Sequence, residues 1–198
     1  MIVMKFGGSS IASAAAIEWI AEIVKSQEAE RPVVVVSAMG KTTDRLIEAM
    51  QYAARGSAYS AWRLLEDLRR YHFQETQRLL GRDARQFLEC RVAPKFQELH
   101  TLFIELEEGR TLSPEIQDEI LSYGERLSSE IVAAAFDCAG IRTQHIDSRE
   151  VIVTDRRFTH ATPLYWETCA KLRRTVGLAA RERVVVMADS SVQPKTVK

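Results

Sequence analysis

Four consecutive valines, Val33 to Val36, constrain the fold of this chain more than any other feature of its sequence. A run of β-branched residues without polar alternation is typical of a strand that is buried on both faces of a parallel sheet. A second apolar run, Ile2 to Phe6, ends at Gly7, and residues 10–26 between the runs carry an apolar stripe at helical spacing. Strand, helix and strand in this order form a βαβ unit. The sequence therefore predicts an α/β fold with a mostly parallel, open sheet and helices on both faces.

The rest of the chain extends this pattern within one domain over residues 1–187. Residues 44–110 contain few helix breakers and repeat apolar residues at helical spacing, so they predict two or three helices inserted beside the sheet. Ser113 and Pro114 are typical of a helix start, and Gly140 of its end. The other predicted elements are strands over 142–146, 151–153 and 183–187, a helix over 163–176 and a disordered tail over 188–198.

Composition excludes several classes of protein. The 27 Lys and Arg residues balance 27 Asp and Glu residues, so no basic field favours nucleic acid. No apolar run approaches the roughly 20 residues that span a bilayer, and residues 1–6 are too short for a signal peptide. The three cysteines are odd in number and far apart, which predicts neither disulfides nor a metal site. We expect a cytoplasmic protein that binds neither membrane nor nucleic acid.

The first strand leads into a candidate anion site. Gly7 and Gly8 would let the backbone approach a phosphate closely, and Lys5 adds a positive charge one step before the turn. Ser9 and Ser10 stand where the N-cap of the next helix is expected, and helix N-termini bind anions. The alternative is an ordinary strand–helix turn whose lysine points into solvent.

A second polar loop follows the valine strand. Residues 37–46 contain Gly40 and several hydroxyl groups, among them Ser37 and Thr43. This loop is not a P-loop, because Val35 occupies the position where that motif needs its first glycine. Ligands of open parallel sheets bind at the carboxyl ends of strands, so both loops should lie side by side at one edge of the sheet.

A third candidate lies inside the long helix that begins at Pro114. Gly124 costs about 1 kcal/mol relative to alanine in a helix interior, which predicts the close approach of another backbone or a ligand. The neighbouring Glu125 is either exposed beside Arg126 or paired with a cation, such as a substrate ammonium or a lysine of the strand loops.

Three segments together resemble the aspartate kinase branch of the amino acid kinase family: KFGGSS at 5–10, VVVVSAMGKTTDRL at 33–46 and SYGERLSS at 122–129. DSREVIVTDRRF at 147–158 agrees with this resemblance. The family fold would cover residues 1–187 as its N-terminal portion. The resemblance implies transfer of the γ-phosphoryl group of ATP, with Mg²⁺, to the β-carboxylate of L-aspartate, which begins lysine, threonine and methionine biosynthesis.

The resemblance also implies roles for individual residues. Lys5 would be catalytic, binding phosphate oxygens and stabilising the transferred group, and no residue is implied as a metal ligand. The implied nucleotide contacts are Lys5, Gly7, Gly8, Ser9 and Ser10. The implied aspartate contacts are Ser37, Thr43 and Glu125, with the Glu125 carboxylate holding the substrate amino group.

The sequence departs from the family pattern after Met187. The family continues with Gly-Phe-Ile-Gly and then Thr-Thr-Leu-Gly-Arg-Gly-Gly-Ser-Asp, but here ADSSVQPKTVK follows. We therefore expect this chain alone to bind ATP poorly and to turn over little. One alternative is a non-catalytic half-kinase, which binds an amino acid or pairs with itself or a partner at an exposed sheet edge. The others are a truncated gene product and a kinase of another acidic substrate.

Overall fold

A computed structural model describes residues 1–109, 111–155 and 157–189. Its centre is a four-stranded sheet in the order β1-β2-β4-β3, and every neighbouring pair is parallel. The strands are β1 (Ile2–Phe6), β2 (Pro32–Val36), β3 (Thr143–Ile146) and β4 (Val184–Ala188). The predicted parallel α/β fold is thus confirmed. Within the described residues, the edges of the sheet are β1 and β3, and β4 is interior.

Helices account for most of the remaining chain. They are α1 (Ala14–Ser26), α2 (Thr42–Ala54), α3 (Ala58–Leu80), α4 (Ala84–Phe87), α5 (Ala93–Glu107), α6 (Pro114–Cys138), α7 (Ser148–Val151) and α8 (Tyr165–Ala179). A π-helical turn, Leu88–Val92, joins α4 to α5. The predicted helical insertion is therefore α2 to α5, and α6 begins at the predicted Ser113 N-cap, whose side chain accepts from the backbone N–H of Ile116.

The sheet separates two apolar layers, as the predicted placement of helices on both faces requires. Val184 and Val186 of β4 face a large core shared with α1, α6 and the inserted helices. Val185 and Met187, which alternate with them, face a smaller cluster completed by α7 and α8. Because side chains alternate along a strand, the unbroken valine pattern supplies both layers at once.

The predicted strand over 151–153 is wrong. The Asp147 side chain accepts from the backbone N–H of Arg149 and starts the short helix α7, which ends at Val151. The backbone of Val153 forms its hydrogen bonds outside the sheet. Its N–H donates to Thr168 Oγ1, and its carbonyl accepts from Leu164 N–H. The start of α8 therefore satisfies the polar groups that a sheet neighbour would otherwise have satisfied.

The predicted boundary of the tail also shifts. Ala188 is the last residue of β4 and pairs with Val36 of β2. Asp189 continues this order, because its backbone N–H donates to the carbonyl of Val36 at 2.7 Å. The rest of the predicted tail, residues 190–198, lies outside the described residues.

Gly124 has close neighbours, but they are side-chain atoms rather than the backbone or ligand that its place in α6 predicted. A Cβ atom at this position would lie 2.9 Å from Ala38 Cβ and 3.2 Å from Thr42 Cγ2. The missing side chain lets α6 lie against the segment that joins β2 to α2. This contact brings the helix face that carries Glu125 to the carboxyl edge of the sheet.

We expect Gly124→Ala to lower the free energy of unfolding by about 1–3 kcal/mol, because the new methyl group overpacks this contact. Urea unfolding followed by circular dichroism measures the change. Gly177→Ala in α8 is the matched control, since its Cβ would meet nothing nearer than Leu172 O at 3.8 Å. The control should gain up to about 1 kcal/mol from helix propensity, and an equal gain in Gly124→Ala would contradict the close packing.

Candidate active site

The two predicted loops lie side by side at the carboxyl edge of the sheet. The backbone N–H of Gly40 donates to Gly8 O at 2.9 Å, and that of Ser37 donates to Phe6 O at 3.2 Å. A Cβ atom at Gly8 would lie 2.5 Å from Ala38 O, so only glycine fits this approach. The loops thus form one continuous rim.

The start of α1 differs from the prediction. Ser9 and Ser10 are exposed and belong to a 3₁₀ helix, Gly8–Ile11, and the N-cap of α1 is Ser13. Ser13 Oγ accepts from Ala16 N–H at 3.2 Å. The sequence did contain this signal, because Ser13 precedes three alanines, the strongest helix formers.

The N-terminus of α1 already binds an internal anion. The backbone N–H of Ala14 donates to Glu75 Oε2 of α3 at 2.6 Å, and Arg78 pairs with the other oxygen of this carboxylate. Tyr71, one turn earlier in α3, donates its hydroxyl to Ala12 O at 2.8 Å. The helix dipole of α1 therefore stabilises Glu75, and any anion at Gly7 and Gly8 must rely on Lys5 and on the loop backbone.

Lys5 is paired with a residue that the sequence did not single out. Its Nζ lies 2.6 Å from Asp189 Oδ2, and Ser37 Oγ donates to the same oxygen at 3.2 Å. The hydrogen bond and the charge of Asp189 raise the pKa of the Lys5 ammonium. Asp189 follows a buried strand, as candidate ligand residues of parallel sheets do, but its position in a polar terminal segment concealed this signal.

Glu125 is the most perturbed carboxyl group of the site. Burial raises its pKa to about 8, and the negative charge of Asp189 adds to this effect, whereas Lys5 opposes it. Its Oε2 atom is buried and has no hydrogen-bond partner among the residues that the structure describes. A buried carboxylate oxygen without a donor is costly, so this position is suited to a ligand that brings a hydrogen-bond donor.

A serine one turn after Glu125 fixes α6 to the second loop. Ser128 Oγ donates to the carbonyl of Ser37 at 2.7 Å. Thr43, the predicted aspartate contact, is exposed at the second position of α2. Thr42, the residue before it, is buried and donates its hydroxyl to Met39 O. Residues from the ends of three strands and from one helix thus converge at one edge of the sheet.

The structure brings part of the predicted set together. Lys5 and Ser37 both contact the carboxylate of Asp189. Glu125 is close enough for the charges of Asp189 and Lys5 to shift its pKa. The other hydroxyl groups of the predicted set are exposed, at Ser9 and Ser10 of the 3₁₀ helix and at Thr43 in the first turn of α2. Within residues 1–109, 111–155 and 157–189, no group of three or more His, Cys, Asp or Glu side chains could hold a metal ion.

Comparison with known proteins decides which family this arrangement represents. A sequence model of the amino acid kinase family matches residues 1–187. The chain belongs to the amino acid kinase family. Aspartokinase 2 of Arabidopsis thaliana is 32% identical over 187 residues, which are 92% of this chain and 33% of that protein. Aspartokinase 3 of Bacillus subtilis is 29% identical over 189 residues, 90% of this chain and 39% of its own length.

A solved structure shows the same fold. E. coli aspartokinase III, in complex with aspartate and ADP, superposes with a TM-score of 0.85 at 25% identity, over 95% of this chain and 40% of that one. This amino acid kinase chain thus spans about a third of the length of its Arabidopsis relative. Its three cysteines are unpaired, and no helix in the described part of the chain is long and apolar enough to cross a membrane.

The raised pKa of Glu125 predicts a loss of stability as the pH rises from about 4.5 to about 8. The folded chain keeps a proton on a carboxyl group with a pKa of about 8, whereas the unfolded chain loses it near 4.5. This contribution to stability is complete below pH 4.5 and is lost as the pH rises through 8. Relative to Glu125→Gln, the free energy of unfolding should fall by up to about 1.4 kcal/mol per pH unit within this window.

Urea titrations of both proteins at several pH values measure this difference. All other titrating groups are common to the two proteins, so the difference between their pH profiles isolates Glu125. Parallel profiles between pH 5 and 8 would show that Glu125 is ionised in the folded chain.

Proposed function

We propose that the chain carries the acceptor side of an aspartate kinase site, where the γ-phosphoryl group of ATP passes to the β-carboxylate of L-aspartate. The observation that carries this proposal is the buried Oε2 of Glu125, which lacks a partner among the described residues, beside Lys5 and Ser37. An amino acid ammonium would supply the missing donor. The likeness to E. coli aspartokinase III, solved with aspartate and ADP, supports this choice of ligand.

The charges of the site suit phosphoryl transfer between two anions. A carboxylate oxygen of aspartate attacks the γ-phosphorus, the bond to the bridging oxygen of ADP breaks, and an acyl phosphate forms. Lys5 would offset the repulsion between carboxylate and phosphoryl oxygens and stabilise the charge that spreads over them in the transition state. Gly7 and Gly8 would let the loop backbone approach the phosphates.

The remaining side chains would orient the acceptor. Glu125 would hold the ammonium group, and the hydroxyl groups of Ser37 and Thr43 would bind carboxylate oxygens. Ser9 and Ser10 would supply hydroxyl groups on the phosphate side, where Mg²⁺ enters with ATP. This function implies the first step of lysine, threonine and methionine biosynthesis, in the cytoplasm. The chain spans only a third of its Arabidopsis relative, so the nucleotide and the amino acid are best tested separately.

Calorimetry with L-aspartate and with succinate, which lacks the ammonium group, tests the assignment of Glu125. The chain should prefer L-aspartate, and Glu125→Gln should weaken aspartate binding by about 10- to 100-fold, because it removes a charge-assisted hydrogen bond. Succinate binding should be unchanged in this variant. Glu119→Gln is the matched control, since Glu119 lies on the same helix and is exposed.

Equal affinities for aspartate and succinate in the unaltered chain would contradict the ammonium site. The same calorimeter measures ATP–Mg²⁺ with Lys5→Ala, which should abolish any phosphate binding that the unaltered chain shows. Aspartate binding without measurable ATP binding would agree with the expectation that this chain alone is a poor kinase.

A second candidate function, association through the sheet, is favoured by the exposed side of β1. This strand lies at the edge of the sheet, where Val3 is 68% exposed, and Met1 just before the strand is 71% exposed. Unprotected edge strands pair readily with other strands. If two copies pair here, light scattering should give a dimer mass that Val3→Lys reduces to that of a monomer. A monomer mass at every concentration of the unaltered chain would contradict self-association.

A further inference from the structure

The carboxylate of Asp189 occupies a notable place in the site. One of its oxygens, Oδ2, contacts both Lys5 Nζ at 2.6 Å and Ser37 Oγ at 3.2 Å. The proposed function gives these two donors to the transferred phosphoryl group and to the acceptor carboxylate. A side chain of the protein therefore uses the hydrogen-bond donors that a bound ligand would need.

We propose that Asp189 is an internal pseudosubstrate, whose side-chain carboxylate holds the position of the acceptor carboxylate and has to leave before L-aspartate binds. This inference rests on the proposed function. The side chain of an aspartyl residue and free L-aspartate present the same β-carboxylate, so they compete for the same donors. Asp189 then limits the affinity of the site and shields Lys5 from other anions.

The electrostatics of the site require this displacement. Lys5 is already paired with Asp189, whose negative charge also contributes to the raised pKa of Glu125. A ligand carboxylate beside the same lysine would add another negative charge at short range, where like charges repel strongly. Moving the Asp189 side chain away removes this repulsion and frees both donors.

The geometry allows the side chain to leave without disturbing the fold. The Lys5 and Asp189 side chains are 60% and 37% exposed, and exposed ion pairs contribute little to stability. The position of Asp189 depends instead on its backbone, whose N–H donates to Val36 O at 2.7 Å. Rotation of the side chain into solvent leaves that hydrogen bond and the end of β4 intact.

Calorimetric titration of the full chain with L-aspartate and with ATP–Mg²⁺ tests the proposal. Asp189→Asn keeps the shape of the side chain and removes its charge, and Asp189→Ala removes the competing group altogether. Both variants should bind L-aspartate about tenfold more tightly than the unaltered chain, with the larger gain in Asp189→Ala. Asp67→Asn is the matched control, because Asp67 pairs with Arg70 on α3 at a similar exposure of 42%, and its affinity should not change.

A second measurement detects the contact without any ligand. NMR titration of the Lys5 ammonium should show a lower pKa in Asp189→Asn than in the unaltered chain, because the hydrogen bond and the charge that raise it are gone. An unchanged Lys5 pKa would overturn the proposal, since the two side chains would then not be paired in solution.

The binding results separate this proposal from the function on which it rests. The unaltered chain could bind L-aspartate, with weaker binding in Glu125→Gln, while the Asp189 variants bind no more tightly. This result would support the proposed function and contradict the pseudosubstrate role of Asp189. Weaker binding in Asp189→Asn would make Asp189 a positioning residue for Lys5 and overturn the proposal as well. If neither the unaltered chain nor any Asp189 variant binds L-aspartate, the proposed function and the pseudosubstrate role are both contradicted.

Discussion

The hydrogen bond from Gly40 N–H to Gly8 O is the contact on which the rest of the site depends. It joins the loop after β1 to the loop after β2, so that Lys5 of one strand and Ser37 of the next share a single rim. The close approach of the two backbones leaves no room for a side chain at Gly8. Helix α6 then lies against the second loop through Gly124 and Ser128, which brings a buried carboxyl group to the same point.

Local signals were enough to predict most of the fold and the meeting of the loops after β1 and β2. The valine run of β2 and the Ser-Pro start of α6 depend on burial and capping within a few residues, and both were predicted correctly. The pairing of Glu75 with the start of α1 joins residues 61 positions apart, so no local pattern reports it. Asp189 was missed for a different reason, because the composition of its segment predicted disorder and concealed the strand end before it.

The inserted helices do more than enlarge the core. Glu75 and Tyr71 of α3 bind the segment between the first glycine turn and α1, so the insertion holds this segment in place. A helix N-terminus near a glycine turn suggests an anion site, but here a side chain of the protein satisfies it. Among the predicted site residues the positive charge is that of Lys5, which is paired with the half-buried Asp189.

The interior position of β4 has a consequence for folding on the ribosome. Strands β2 and β3 do not pair with each other, because β4, which follows both in sequence, lies between them. Until residues 184–188 have left the exit tunnel, the nascent chain can form the β1-β2 pair, but β3 has no neighbour to complete its backbone hydrogen bonds. The sheet is therefore completed only after β4 has been made. Its strand pairs join segments that are far apart in sequence, which slows folding.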